Sequence, residues 1–152
     1  SWWRFPPKRS LERSVGSSLA EGKATRQDLT NRDWEWTMER IRIRARFGAL
    51  AITAVLNDSN TARQLWEVLP IDSHAKRWGD EVYFETPVEA GEEEPQAEVP
   101  SGTVAYWPPG RALCFFFGQT PYSPVNVVGE VEGDPGVLSG VAEGEAVRVE
   151  GA

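Results

Sequence analysis

Histidine and cysteine are almost missing from this chain: His74 and Cys114 stand alone among 152 residues. One imidazole and one thiol make no zinc site of the usual His and Cys ligands. A lone cysteine also makes no internal disulfide and fits a reducing compartment, so a cytoplasmic protein is expected. There is no basic excess either. Sixteen Lys and Arg against 23 Asp and Glu leave a net charge of -7, which argues against a nucleic-acid partner, since that needs a positive surface. No apolar run approaches the roughly 18 residues of a membrane span, and no secretory signal is expected. Glycine-rich phosphate loops of the G-x-x-x-x-G-K type are absent. No glycine frame makes a nucleophile elbow of any serine, so Ser73 beside His74 does not read as a hydrolase. We expect His74 to be an exposed strand residue, Cys114 an inert core thiol, and no metal or cofactor.

What remains is 40% hydrophobic and 26% charged, the balance of an ordinary globular domain. The charge is unevenly spread. Residues 1–37 carry seven Lys/Arg against five Asp/Glu, and the rest of the chain nine against eighteen. Four of the seven tryptophans (Trp2, Trp3, Trp34, Trp36) also fall in that first stretch, which has little apolar periodicity. We expect residues 1–37 to be an N-terminal extension, loosely packed or foreign to the domain, and residues 38–152 to be the domain.

From Arg40 the chain alternates, with Arg40, Arg42, Arg44 and Arg46 on one face and Ile41, Ile43, Ala45 and Phe47 on the other. Period two is a half-buried strand with a basic outer face. Gly48 turns it into a second strand over 49–56. Asn57, Asp58 and Ser59 offer a helix N-cap, and a helix over 61–69 follows, with Ala62, Leu65, Trp66 and Leu69 on one side and Pro70 as its stop. Strands are expected at 73–78, 81–84, 103–107, 112–117, 125–131 and 145–149, with a short helical turn starting at Asp134-Pro135. The run EAGEEEPQAEVP (89–100) reads as a solvated loop, because consecutive Glu92, Glu93 and Glu94 do not converge on one cation. Short, closely spaced strands with one helix predict a mainly β protein, a closed eight-stranded antiparallel barrel.

The most specific stretch is VAYWPPGRALCFFFGQTP (104–121). Pro109-Gly110 predicts a type II turn, and Trp107-Pro108 admits a cis or a trans bond. The strand that follows alternates Ala112, Cys114, Phe116 with Leu113, Phe115, Phe117. Both sets are apolar, so both faces must be covered: one by the barrel core, the other by the helix, a loop or a ligand.

Together with WGDEVYFETPV (78–88), SPVNVVGEVEG (123–133) and the helix ending LWEVLP (65–70), this stretch resembles the prokaryotic cyclophilin-like fold family, small proteins of unknown function. The resemblance spans residues 40–149 and implies an eight-stranded barrel of the cyclophilin class. A fainter likeness to the cyclophilin peptidyl-prolyl isomerases lies in Cys114-Phe115-Phe116-Phe117 and in Val127-Val128-Gly129-Glu130-Val131. Those enzymes twist an amide in an apolar groove while an arginine bonds near the imide nitrogen. Here no arginine stands near Leu69-Pro70, where its counterpart would fall, and Arg77 and Arg111 are the nearby substitutes. The isomerase glutamine is replaced by Cys114 or Phe115.

Three readings follow. The first is a non-catalytic groove for a peptide segment or small apolar ligand, lined by Trp78, Tyr83, Tyr106, Trp107, Arg111, Phe115 and Tyr122. The second is a weak prolyl isomerase using Arg111 or Arg77. The third is an assembly subunit, with self-association of the basic Arg40–Arg46 face against acid such as Glu92 to Glu94.

Overall fold

The computed structural model describes residues 41–118 and 123–152. The extension expected at 1–37, and Tyr122, lie outside the described residues. The residues Arg42–Ala152 form one unit, and the architecture below is that of this unit.

β1 (Arg42–Phe47) keeps the alternation of its sequence: Ile43, Ala45 and Phe47 are buried, while Arg42 and Arg46 are exposed. On the basic face Arg42 pairs with Glu132 at 3.0 Å and Arg46 with Glu150 at 3.2 Å. Exposed pairs of this kind stabilise by about 0–1 kcal/mol each. β1 turns directly into β2 (Leu50–Leu56) in an antiparallel register that pairs Phe47 with Leu50.

α1 (Asn60–Glu67) begins at Ser59, whose hydroxyl accepts from the Ala62 N–H, and buries Thr61, Ala62, Leu65 and Trp66. Its first turn has a second cap that comes from far along the chain. The Glu93 carboxylate accepts from the N–H groups of Asn60 and Thr61 at 3.0 and 2.9 Å, and from Thr61 Oγ1 at 2.7 Å. Burial acts to raise that carboxyl, but the bonds from the Thr61 hydroxyl and the two N–H groups outweigh it and hold the group below its ordinary range. So the acidic loop is not simply solvated. Buried Asn126 fastens it further, its Oδ1 accepting from Glu93 N–H and its Nδ2 donating to Thr61 Oγ1 and to the Gly91 carbonyl.

The remaining strands are β3 (Ile71–His74), β4 (Lys76–Arg77), β5 (Glu81–Glu85), β6 (Thr103–Trp107), β7 (Ala112–Phe116), β8 (Asn126–Val131) and β9 (Ala146–Gly151). They form one antiparallel sheet in the order β3-β9-β1-β2-β8-β6-β7-β5-β4. The expected count of eight and the expected closure are both corrected here: there are nine strands, and the barrel is nearly closed. The physical reason lies at Ala75. The segment expected to be one strand breaks there, where Ala75 N–H donates to the Glu145 carbonyl and Ala75 O accepts from Gly144 N–H. The half before the break pairs with β9 and the half after it with β5. The two ends of the sheet are thus neighbours in sequence, and one residue bridges the seam.

Inside the barrel Phe47, Phe84 and Phe115 pack ring to ring, with centroids 5.6–6.0 Å apart. Cross-strand register puts Val82 and Val104 beside Phe115, and Phe84 and Tyr106 beside Leu113, on this inner face. β8 approaches β2 closely enough that a Cβ at Gly129 would drive into the Val55 carbonyl, which explains a glycine inside a strand.

The turn before β7 also departs from expectation. Pro108–Gly110 forms a 3-10 turn rather than a type II turn, and Arg111 takes the left-handed conformation at φ 49 and ψ 43. Both prolines already hold the φ that a 3-10 turn needs, so the left-handed reversal falls one residue later than expected. The Trp107–Pro108 bond is trans; Leu69–Pro70 is cis.

Candidate binding pocket

β7 is buried at every position, so its alternation creates two apolar faces. Leu113 and Phe115 face the barrel interior. Ala112, Cys114 and Phe116 face outward and join Ala105, Val99 and Val125 in a second cluster, against which Tyr83, Trp107 and Val127 pack. The cover over this outer face comes from Val99 in the long loop and from Val125 just before β8, tied together by the Gln96–Val125 bridge. Where that cover ends, a pocket of about 200 Å3 opens. Its lining is Trp78, Glu81, Tyr83, Trp107, Cys114, Ser123 and Val125.

Each wall is placed by local structure. Trp78 and Glu81 flank the Gly79-Asp80 turn and exchange backbone hydrogen bonds, Trp78 N–H to Glu81 O at 3.0 Å and Glu81 N–H to Trp78 O at 3.2 Å. Register then sets Glu81 beside Phe116 and Tyr83 beside Cys114 on the outer face. Trp107 ends β6, and its indole N–H donates to the Ser123 hydroxyl. The ring lies over Gly110, where a Cβ would come within 2.6 Å of it. A glycine there lets the indole close down on the turn.

Glu81 is the unusual member. It is only 7% exposed, and burial pushes its carboxyl above the ordinary range, with the neighbouring Cys114 thiol acting in the opposite direction. Among the described residues no Lys or Arg pairs with it. Cys114 answers in kind: burial first, then the charge of Glu81, push its thiol well above the usual value. It therefore stays a thiol, which makes it a poor nucleophile. Tyr83 is raised too, by burial and then by the charges of Glu81, Glu143 and Cys114.

Of the residues expected to form a groove, Trp78, Tyr83 and Trp107 come together here. Tyr106 and Phe115 instead face the barrel interior. Tyr106 is 1% exposed; its hydroxyl donates to the Val88 carbonyl at 2.6 Å and accepts from Ala90 N–H at 3.3 Å. Arg111 sits on the surface, 2.6 Å from Glu89. Tyr122 lies outside the described residues. Arg77 points away as well, donating to the carbonyls of Val141, Ser139 and Gly79, with its guanidinium 5.2 Å from the centre of the Phe117 ring. Sequence reasoning missed Glu81, Cys114, Ser123 and Val125. The alternation of 81–84 carried half of the signal, because Val82 and Phe84 inward put Glu81 and Tyr83 outward. That the outer face is itself covered has no mark in the strand. Among the described residues no three His, Cys, Asp or Glu side chains gather into a metal-binding group, and no helix is long and apolar enough to cross a membrane.

Comparison with known proteins adds three findings. Residues 40–150 match the model of a family described as cyclophilin-like. The hypothetical protein AF2241 from Archaeoglobus fulgidus, known from a solution structure, is 40% identical at a TM-score of 0.65, over 74% of this chain and 95% of that one. McbB, solved in complex with tryptophan, is 23% identical at a TM-score of 0.56, over 71% of this chain and 44% of McbB, a likeness of fold alone. No curated protein matches the chain.

Proposed function

The chain belongs to the cyclophilin-like family, and on that premise we propose that it is a non-catalytic binding domain which takes a small apolar ligand in the outer-face pocket. The observation that carries this reading is the cavity of about 200 Å3 lined by Trp78, Tyr83 and Trp107. Cavities near 150 Å3 hold a benzene-sized molecule, so the space suits one aromatic ring with a short substituent. Aromatic walls give large contact area at low entropic cost. Two features support the absence of catalysis. Cys114 is held as a thiol by burial and by Glu81, and neither Arg77 nor Arg111 lines the pocket to serve as an isomerase donor.

The test is an NMR titration of the full chain with a panel of small aromatic compounds, following the indole N–H resonance of Trp107. Trp107→Ala is expected to weaken the best binder at least tenfold, about 1.4 kcal/mol, with the remaining spectrum unchanged. A panel that never shifts the Trp107 resonance, or a Trp107→Ala protein of wild-type affinity, overturns the reading. Turnover of X-Pro peptides above background overturns its non-catalytic part.

A further inference from the structure

We propose that the pocket selects a protonated amine carried on an apolar body, with the ammonium seated between the Glu81 carboxylate and the faces of the surrounding aromatic rings. This rests on the pocket being a binding site and goes further, by naming the charge of what binds.

A purely structural residue at position 81 would be apolar. Every neighbour of Glu81 on the outer face of β7 is apolar or nearly so: Phe116 opposite, Cys114 diagonally, Ala112 beyond. A leucine there would complete the cluster. Instead the residue there is a glutamate, only 7% exposed, and it lines the cavity. A buried ionised carboxylate is costly unless paired. The nearby Cys114 thiol donates to the Ala112 carbonyl at 3.9 Å and is a weak donor in any case, and no basic side chain among the described residues pairs with Glu81. Among the described residues, then, the carboxylate has no cationic partner, and the cavity it lines is open to one from outside.

The rest of the lining narrows that partner. Trp78, Tyr83 and Trp107 line the cavity, and the faces of such rings carry negative quadrupoles that attract a cation, most strongly where water is excluded. Carboxylate and aromatic faces thus favour the same charge. An anion would meet Glu81 directly, in a chain of net charge -7. A neutral apolar molecule would fill the volume and leave the carboxyl unmatched. The cavity volume limits the body to about one ring and a two-carbon arm, so the class is a small primary arylalkylamine or an alkylamine of similar bulk.

Three probes of one shape decide it: phenethylammonium, neutral 2-phenylethanol and anionic 3-phenylpropionate, titrated into the full chain by calorimetry and NMR at neutral pH. The amine is expected to bind at least tenfold tighter than the alcohol, and the acid weaker than both. Glu81→Gln should abolish the preference for the amine while keeping the affinity for the alcohol. If amine and alcohol bind the wild-type protein equally, amine selection is overturned and the apolar pocket survives; this comparison needs no variant. If Glu81→Gln keeps the amine preference, Glu81 is not its source and the proposal falls. If no probe binds, both this proposal and the binding reading are overturned.

Discussion

Leu113 and Phe115 on one side of β7, and Cys114 and Phe116 on the other, are all at most 1% exposed, yet the two faces are buried by different means. The inner face is enclosed by strands, with the rings of Phe47 and Phe84 locked against Phe115. The outer face is roofed by single residues from loops, Val99 and Val125, and the roof stops short at a pocket that contains a carboxylate. Equal burial thus conceals unequal completeness. Where packing is complete, every group has a partner inside the molecule and the surface asks for nothing more. Where it is incomplete, a carboxyl group is left in the gap without a basic partner among the described residues.

The largest expected effect tests that inequality with one deletion made on each side. Phe115→Ala opens a hole among rigid strands, and we expect a loss of about 3–5 kcal/mol in urea unfolding. Phe116→Ala removes the same atoms from the outer cluster, whose loop cover can settle into the space, and we expect no more than about 3 kcal/mol. Equal losses would show that the outer roof is as rigid as the barrel.

The inner face was also the part most legible in the sequence. Alternation in 42–47 set Ile43, Ala45 and Phe47 on one side without any knowledge of the partners, since period two is dictated by the backbone alone; in 112–117 it separated two apolar faces but left open which one met the core, and Phe115, expected in the groove, lies inside the barrel. The helix was legible to within two residues, because Ser59 and Pro70 are local signals. The bend at Ala75 was not, because it is imposed by Glu145 and Gly144 from the far end of the chain. The same holds for Glu93, whose role depends on a helix that begins more than thirty residues earlier. As for the pocket, the three aromatic walls were readable as residue types at suitable places. Glu81 carried no mark of its own, since only the roof formed by Val99 and Val125 makes an outer-face residue there a buried one.

A smaller effect concerns the sign of the charge on the outer face. Burial raises the Glu81 carboxyl in the folded protein, so the folded state holds a proton that the unfolded chain has already lost. Through the window from the ordinary glutamate value up to the raised one, stability therefore falls as pH rises, and the loss is complete above the window. Glu81→Gln removes it. The variant should unfold at a higher urea midpoint than wild type near about pH 7.5, and at the same midpoint near about pH 3.5, where both states of the wild type are protonated. Using the difference between the two proteins cancels Glu93, whose lowered carboxyl gives stability that is instead lost as pH falls. Cys114 and Tyr83 are the titratable neighbours, and both are pushed upward, away from this range. A Glu81→Gln protein less stable than wild type at about pH 7.5 would mean that the carboxylate is paired within the molecule, and the contrast between the two faces would disappear.

The smallest effect belongs to the rim, where Arg111 separates conformation from contact. Its φ of 49 and ψ of 43 place a residue with a Cβ in the left-handed region, at about 1–2 kcal/mol above the right-handed alternative. Its ion pair with Glu89 is half exposed on one side and more on the other, so it returns no more than about 1 kcal/mol. Arg111→Ala loses the pair and keeps the strain, whereas Arg111→Gly loses the pair and relieves the strain, at a conformational cost in the unfolded chain of about 0.5–1 kcal/mol. We expect the alanine variant to be the less stable of the two by about 0.5–1 kcal/mol, and the glycine variant to lie close to wild type. Neither should change the affinity of the pocket for an aromatic ligand, because Arg111 is outside the lining while Trp107, four residues earlier, forms part of it. If the ligand bound more weakly to both variants alike, the guanidinium would have to reach over the rim, and the boundary between the covered face and the open one would move outward to include it.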